Sequence, residues 1–308
     1  MNAMNKFFKL LIPVVICLAA NGAAAQKQDS AQESESSRQI TLDRFNKARP
    51  AEAAAKTSVR TRPALKAPIY RRTGPLRARV SARIPFEEVG VTVWRLRPSL
   101  SSDGGGRVLV QEGLKQSEWT PERIEADTPL NIGDHVRLTV ESPRPGFLYI
   151  IDREQYADGS LGEPMLIFPT LRARGGDNRV EPGRLIDIPA QEDQYSYFTA
   201  QPAGARRQVA EVLTVILVPQ PLPLQVAAQP LKMTETEVSG WEKLWGGVAE
   251  RLELVGGAGR IWTMEEKAAS AALGRQLTQA GPPPQTVYRV ARKAGGPLLV
   301  TVPLLYAR

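Results

Sequence analysis

Histidine and cysteine are almost missing: one of each in 308 residues. A structural zinc site needs four such ligands, so none can be built, and an internal disulfide needs a second cysteine. A Ser-His or Cys-His catalytic pair has only His135 to draw on. Aromatic residues are also sparse, at 6%. Apart from Leu10 to Ala20 the chain lacks a long apolar run, and that one is shorter than the about 20 residues of a membrane-spanning helix. What is abundant is turn chemistry, with 25 Gly and 25 Pro. The apolar content of 42% is enough for a sizeable core.

The first 25 residues read as a secretory leader. Lys6 and Lys9 give a basic start, Leu10–Ala20 an apolar run, and Ala23-Ala24-Ala25 a small-residue cleavage site, placing the cut before Gln26. The sequence thus predicts an exported protein, periplasmic or extracellular. Cys17 lies inside the apolar run without the small residue that precedes a lipoprotein cysteine, so the mature chain is cysteine-free.

Charge is unevenly spread. Residues 38–97 hold 15 Lys+Arg against 4 Asp+Glu, while the remainder of the mature chain is close to neutral. Residues 26–85 are rich in Arg, Pro, Ala, Ser and Gln and poor in large apolar side chains. Such a composition predicts a disordered basic tail, with Ile40–Phe45 at most a transient helical turn. The tail reads either as a solvated linker or as an arm attracted to an anionic surface. No nucleic-acid recognition motif or interleaved aromatic accompanies the arginines.

From residue 86 the pattern changes to short apolar alternations separated by Gly, Pro, Asp and Asn. Val89, Val91 and Val93 alternate, as do Val136, Leu138 and Val140, leaving His135, Arg137 and Thr139 on the opposite face. Phe147–Ile151 and Glu211–Val218 are apolar on both faces and suit central strands. Residues 107–111, 165–168 and 184–189 suit shorter ones, and 219–232 a crossing segment. Thr234-x-x-Glu237 and Thr263-x-x-Glu266 are capping boxes. The first opens a stripe of Val238, Trp241, Trp245, Val248 and Leu252, and the second an Ala-rich stretch. Thr286–Ala291 and Leu298–Val302 flank a Gly-Gly-Pro turn and read as a hairpin. The expectation is an all-β chain: one antiparallel β-sandwich domain over 86–308, with a core at 86–220. A C-terminal helical insertion about 234–280 and a closing hairpin at 286–306 complete it.

Several of these pieces together resemble a known family. They are Gly133-Asp134 before an alternating strand, Ser142-Pro-Arg-Pro-Gly-Phe-Leu-Tyr149, Tyr156-Ala-Asp-Gly-Ser160, Leu166-Ile-Phe-Pro-Thr170 and Gly175-Gly-Asp-Asn-Arg179. Over about residues 86–220 the chain resembles the bacterial domain of unknown function 4384 (DUF4384). The resemblance implies a sandwich-like accessory domain, often in exported proteins, and implies no enzyme activity.

The polar loops are the candidate binding surface: Tyr149, Asp152, Glu154, Tyr156, Asp158, Ser160 and Glu163 on one, Asp177 and Asn178 on a second. Their carboxylates suit a hard cation such as calcium if both loops converge, although the spacing is not that of an EF-hand. As turn residues they need no ligand at all. Tyr149, Tyr156 and the carboxylates also suit a peptide or glycan. Gly159-Ser-Leu-Gly162 is not a nucleophile elbow, and Gly256-Gly-Ala-Gly259 completes no nucleotide motif. The sequence therefore points to a non-enzymatic exported binding or assembly module of the cell envelope. It needs no cofactor, and its partner is an envelope protein or glycan. The alternatives are a carboxylate-based glycan hydrolase and a calcium-dependent adhesin or scaffold.

Overall fold

Alternation of apolar side chains commits most of the chain to strands, and the computed structural model arranges them in two antiparallel sheets. It describes residues 44–52, 68–73, 85–191, 193–202, 204 and 206–307. The expected leader and cleavage site, and most of the basic tail, lie outside the described residues. In chain order the elements are a short helix α1 (44–48), β1 (Tyr70–Thr73), β2 (Phe86–Pro98), β3 (Val108–Glu112), β4 (Lys115–Ile124), β5 (His135–Glu141), β6 (Gly146–Tyr156), β7 (Met165–Phe168), β8 (Arg179–Val180), β9 (Leu185–Ile188) and β10 (Phe198–Thr199). There follow β11 (Gln208–Val218), β12 (Leu231–Lys232), α2 (Glu235–Trp245), β13 (Ala249–Leu254), α3 (Met264–Ser270), β14 (Thr286–Ala291) and β15 (Leu298–Leu305).

The first sheet runs β1-β13-β14-β2-β4-β3, with β5 on the other side of β2 and β9 and β10 beyond β5. The second runs β12-β7-β6-β11-β15, with β8 against the start of β6. Facing odd residues of β2 and even residues of β5 and β6 make the core between them. Val89, Val91, Val93, Leu138 and Val140 meet Leu148, Ile150, Leu213, Val215, Leu217 and Val300 there. This is the sandwich that period-two patterning predicts.

Both outer faces are covered as well. Tyr149, Ile151, Ile216 and Val218 turn outward from the second sheet and pack under Met233, Val238, Trp241 and Trp245. Both α2 and α3 begin with the expected reciprocal capping boxes. Both are shorter than expected. Gly246 ends α2, so Val248 and Leu252 of the apolar stripe fall outside the helix, and Leu252 is buried in β13 instead. The stretch 234–280 is accordingly not purely helical: β13 lies within it and joins the first sheet between β1 and β14.

The outer face of the first sheet is where the polar residues of the alternation go, and it is buried. Arg137 pairs with Asp187, and Arg123 with Glu266 of α3. The Trp94 indole donates to Thr139 Oγ1 at 2.8 Å. The guanidinium of Arg137 lies 4.3 Å from the Trp262 ring centroid.

Two further expectations need correcting. The tail is not disordered throughout. Phe45 (1% exposed) and Tyr70 (1%) join Leu252, Leu254 and Val287 in a cluster of their own. Arg49 is buried and forms a bidentate pair with Glu141 at 2.7 and 2.6 Å. It also donates to the carbonyls of Gly281 and Pro282, each at 3.0 Å. The sandwich therefore includes residues upstream of 86. The described residues all belong to one unit, 38–308. Second, β14 and β15 do not form a hairpin. β14 pairs with β2 and β13, whereas β15 pairs with β11, so the Gly-Gly-Pro turn carries the chain from one sheet to the other.

If the arm is part of the fold, removing its anchors will unfold the domain. Phe45→Ala should cost about 3–5 kcal/mol. Arg49→Ala leaves Glu141 buried without its partner and should cost about 3–5 kcal/mol. The double change Arg49→Met with Glu141→Leu should recover most of that loss. Urea unfolding checks all three, with the fully exposed Leu114→Ala as a control expected within about 0.5 kcal/mol of the wild type.

Candidate functional site

Toward its Tyr156 end, β6 outruns β7. Asp152 opposes Met165, and the residues beyond it pair with β11 on one side only, apart from a bridge between Gln155 and Leu161. The side chains that would otherwise continue the core are carboxyls. Asp152 follows Leu148 and Ile150 on the inward face, and Glu211 precedes Leu213 and Val215 in the same way. A cleft of about 870 Å³ opens here. Asp152, Glu154, Glu163, Glu211 and Glu235 line it with Arg153, Arg206 and Lys232, together with the apolar Leu161, Met165 and Met233.

The cleft is held in shape by its own hydrogen bonds. The Tyr156 hydroxyl donates to Glu154 Oε2 at 2.6 Å. The Arg206 guanidinium lies 3.6 Å from the Tyr156 ring centroid and donates to Asp158 Oδ2 at 3.1 Å and Ser160 Oγ at 2.6 Å. Asp158 closes the turn by accepting from the Ser160 backbone at 2.9 Å. Gly159 has φ +84° there, which a side chain would resist. Gly162 gives Glu154 its room, since a Cβ at that position would come within 2.5 Å of Glu154 Oε2. Lys232 pairs with Glu163, and the buried Arg153 with Glu235 and Glu242 of α2.

Asp152 pairs opposite Leu213, which puts Glu211 on the same face of the neighbouring strand, near enough for the two carboxyls to influence each other. Two neighbouring carboxyls with little solvent favour one shared proton over two charges. Among the described residues no donor reaches Asp152 Oδ1 or Glu211 Oε2. Burial first, and Glu211 second, push the Asp152 carboxyl up to about 7. Burial raises Glu211 too, opposed by hydrogen bonds from Gln208 at 2.7 Å and Tyr306 at 3.0 Å. The pair therefore holds a proton more tightly than ordinary carboxyls do.

The sequence-derived candidates divide into three groups. Asp152, Glu154, Tyr156 and Glu163 line the cleft, and Asp158 and Ser160 form the turn beside it. Tyr149 is a core residue whose hydroxyl accepts from the Leu222 backbone at 2.8 Å. Asp177 and Asn178 lie at the other end of β6. Arg179 pairs there with Phe147, nine residues from Tyr156, a separation of roughly 30 Å along the strand. Asp177 is held by Arg179 and Asn178 donates to the Leu148 carbonyl at 3.0 Å. The two loops therefore do not converge, and the cation site imagined between them has no geometry behind it. Among the described residues no three His, Cys, Asp or Glu side chains group as metal ligands.

Sequence reasoning missed Glu211, Gln208, Arg206 and Tyr306. For Glu211 there was a signal, because it shares the strand phase of Leu213, Val215 and Leu217 and so had to face inward. His135 does not line the cleft. It packs between Trp119 and Tyr197, with ring centroids 5.1 and 4.7 Å away. Partial burial lowers its pKa below the ordinary histidine value.

Residues 129–214 match a family model described as Domain of unknown function (DUF4384). The matched stretch is narrower than 86–220. It contains β5 to β10 and most of β11, hence strands of both sheets and both walls of the carboxyl pair. No curated protein and no solved structure matches the chain.

A carboxyl that binds its proton more tightly in the folded state stabilises most below its ordinary pKa of about 4, and loses that contribution as pH rises through the folded value. Asp152 and Glu211 act in this direction. So does Glu253, buried beside Gln285 and Thr286 and raised by that burial to about 7. Unfolding free energy should therefore fall between pH 5 and pH 8, by ~2–4 kcal/mol. Asp152→Asn should remove about half of the fall, because the amide does not titrate. Urea titrations at several pH values check this, and a slope unchanged in Asp152→Asn would contradict the shared proton.

Proposed function

We propose that this chain, whose residues 129–214 form a DUF4384 domain, is a non-enzymatic exported module of the bacterial cell envelope that holds a glycan or protein segment in the cleft beside Tyr156. The observation that carries this reading is the state of the cleft's charges. Arg206, Lys232 and Arg153 are already fixed against Asp158, Glu163, Glu235 and Glu242. Fixed donors and acceptors beside apolar side chains bind with little reorganisation. Tyr156 presents its hydroxyl edge and Glu154 its carboxylate, both suited to hydroxyl or amide groups of a ligand. Asp152 and Glu211 share one face of two adjacent strands instead of standing on opposite sides of the opening, which suits recognition better than bond cleavage. The leader supports export, and the basic segments upstream support an anionic surrounding.

A second reading, carboxylate-based glycan hydrolysis, is favoured by one observation. Asp152 lies at the edge of a cleft, where burial raises its carboxyl to about 7, the range in which a general acid works.

Both readings are tested with the full chain on envelope extract. Binding predicts retention of a protein or glycan above an unrelated β-sandwich, with affinity reduced about tenfold in Glu154→Gln combined with Arg206→Ala. Hydrolysis predicts new reducing ends from envelope glycan, abolished in Asp152→Asn. Retention without new ends supports the module, and new ends replace it with the hydrolase.

A further inference from the structure

The cations that line the cleft beside Tyr156 are all paired with acids: Arg153 with Glu235 and Glu242, Arg206 with Asp158, and Lys232 with Glu163. Three acids are left over. Asp152 and Glu154 lie two apart on β6, and Glu211 pairs directly opposite Glu154 on β11, so the three carboxyls stand on one face of two adjacent strands. Their side-chain hydrogen bonds come from neutral donors, Tyr156 to Glu154, and Gln208 and Tyr306 to Glu211. Among the described residues no Lys, Arg or His is paired with any of the three.

The rest of the lining narrows what can meet these acids. Asp152 and Glu211 also border a second hollow, of about 90 Å³, with Leu130, Val136, Phe198, Leu213 and Leu304 among its other walls. With so little polar surface around them, the negative charges are relieved by a cation far better than by a neutral hydroxyl or amide. Among the described residues no three acids group as metal ligands. An ammonium is less demanding, because its three N–H donors reach acceptors about 2.8 Å away, against about 2.4 Å for calcium. Met165 pairs opposite Asp152, and Leu161 and Met233 line the same cleft. These neighbours match an alkyl stem, whereas an amino sugar would set its hydroxyls against them.

We propose that the ligand of this cleft is a primary alkylammonium, the lysine-type side chain of a peptide segment, with its nitrogen among Asp152, Glu154 and Glu211 and its stem against Leu161, Met165 and Met233. The inference rests on the cleft being a recognition site and narrows its ligand from a glycan or protein segment to a basic peptide. The chain as a whole has a formal net charge of +8, which repels basic ligands at long range. Selection for one is therefore local to this acidic face.

Methionine methyl resonances report on the site. Of the five methionines, Met165 and Met233 line the cleft, while Met264 is exposed on α3. The full chain, isotope-labelled at these methyls, is titrated with Nα-acetyl-lysine amide, with the same compound acetylated on its ε-nitrogen, and with glucosamine. The free ε-amine should shift Met165 and Met233 saturably and leave Met264 in place. Acetylating the ε-nitrogen, or offering glucosamine instead, should weaken binding at least tenfold. Glu154→Gln should weaken the lysine compound about tenfold, and Asp177→Asn at the far end of β6 should leave it unchanged. Unmoved Met165 and Met233, equal shifts at Met264, or equal binding of the acetylated compound or of glucosamine would each overturn the inference. The comparison of ligands uses the unaltered chain, so it stands even if Glu154→Gln fails to fold. An envelope partner retained by the chain and not displaced by the lysine compound sinks this inference alone. Silent methyls with no retained partner sink the binding module as well, and methyl shifts without retention keep the ammonium site and remove the envelope partner.

Discussion

A charged side chain taken out of water must be met by its counter-charge, and on the outer face of the first sheet this requirement governs what may lie on top. Arg123, Arg137, Glu141 and Asp187 all leave solvent there. Arg137 and Asp187 satisfy each other within the sheet. Glu141 is satisfied by Arg49 from the N-terminal arm, and Arg123 by Glu266 from α3. Removing solvent from such pairs costs several kcal/mol per ion, so they contribute modest net stability but penalise wrong partners strongly. The covering layer is thereby located by charge as well as by apolar area. An arm that lifts away exposes the cluster around Phe45, and an arm or helix that lifts away also strands a carboxylate or guanidinium in a dry site.

This explains which parts of the fold could be read from residue order. Period-two alternation marks the core face of β2, β5, β6 and β11 because that face is filled by the sequence-local strands themselves. It says nothing of what covers the opposite face, so Arg137 and Thr139 look solvent-facing although both are buried. The arm is invisible for a related reason. Phe45, Arg49 and Tyr70 are isolated among polar and small residues, and their value comes from partners far along the chain, such as Glu141, Gly281 and Pro284. The turn between β14 and β15 is a further example. Gly-Gly-Pro shows that the chain reverses, but not that the returning strand enters the other sheet.

The candidate site was half legible. Loop chemistry drew attention to residues 152–163, and all six of the polar side chains chosen there surround one cleft or its turn. Strand phase was the sharper guide and went unused. Asp152 and Glu211 each interrupt an inward apolar series, and an acid in that position has to find a proton, a partner or an opening. Tyr149 misled because a tyrosine in a strand with apolar residues on both faces belongs to a covered face, where its hydroxyl needs only one neighbour, here the Leu222 backbone.

The arm's route also determines how the protein would carry load. Tension applied upstream of Arg44 reaches the sandwich through Phe45 and the Arg49–Glu141 pair before it reaches β1, and β1 hangs on β13 by only four paired positions. The buried guanidinium is thus a mechanical fastener that lies upstream of both sheets, just behind Arg44 and Phe45. It would give way as a unit, all of its bonds sharing one side chain, while the two sheets behind it remained intact.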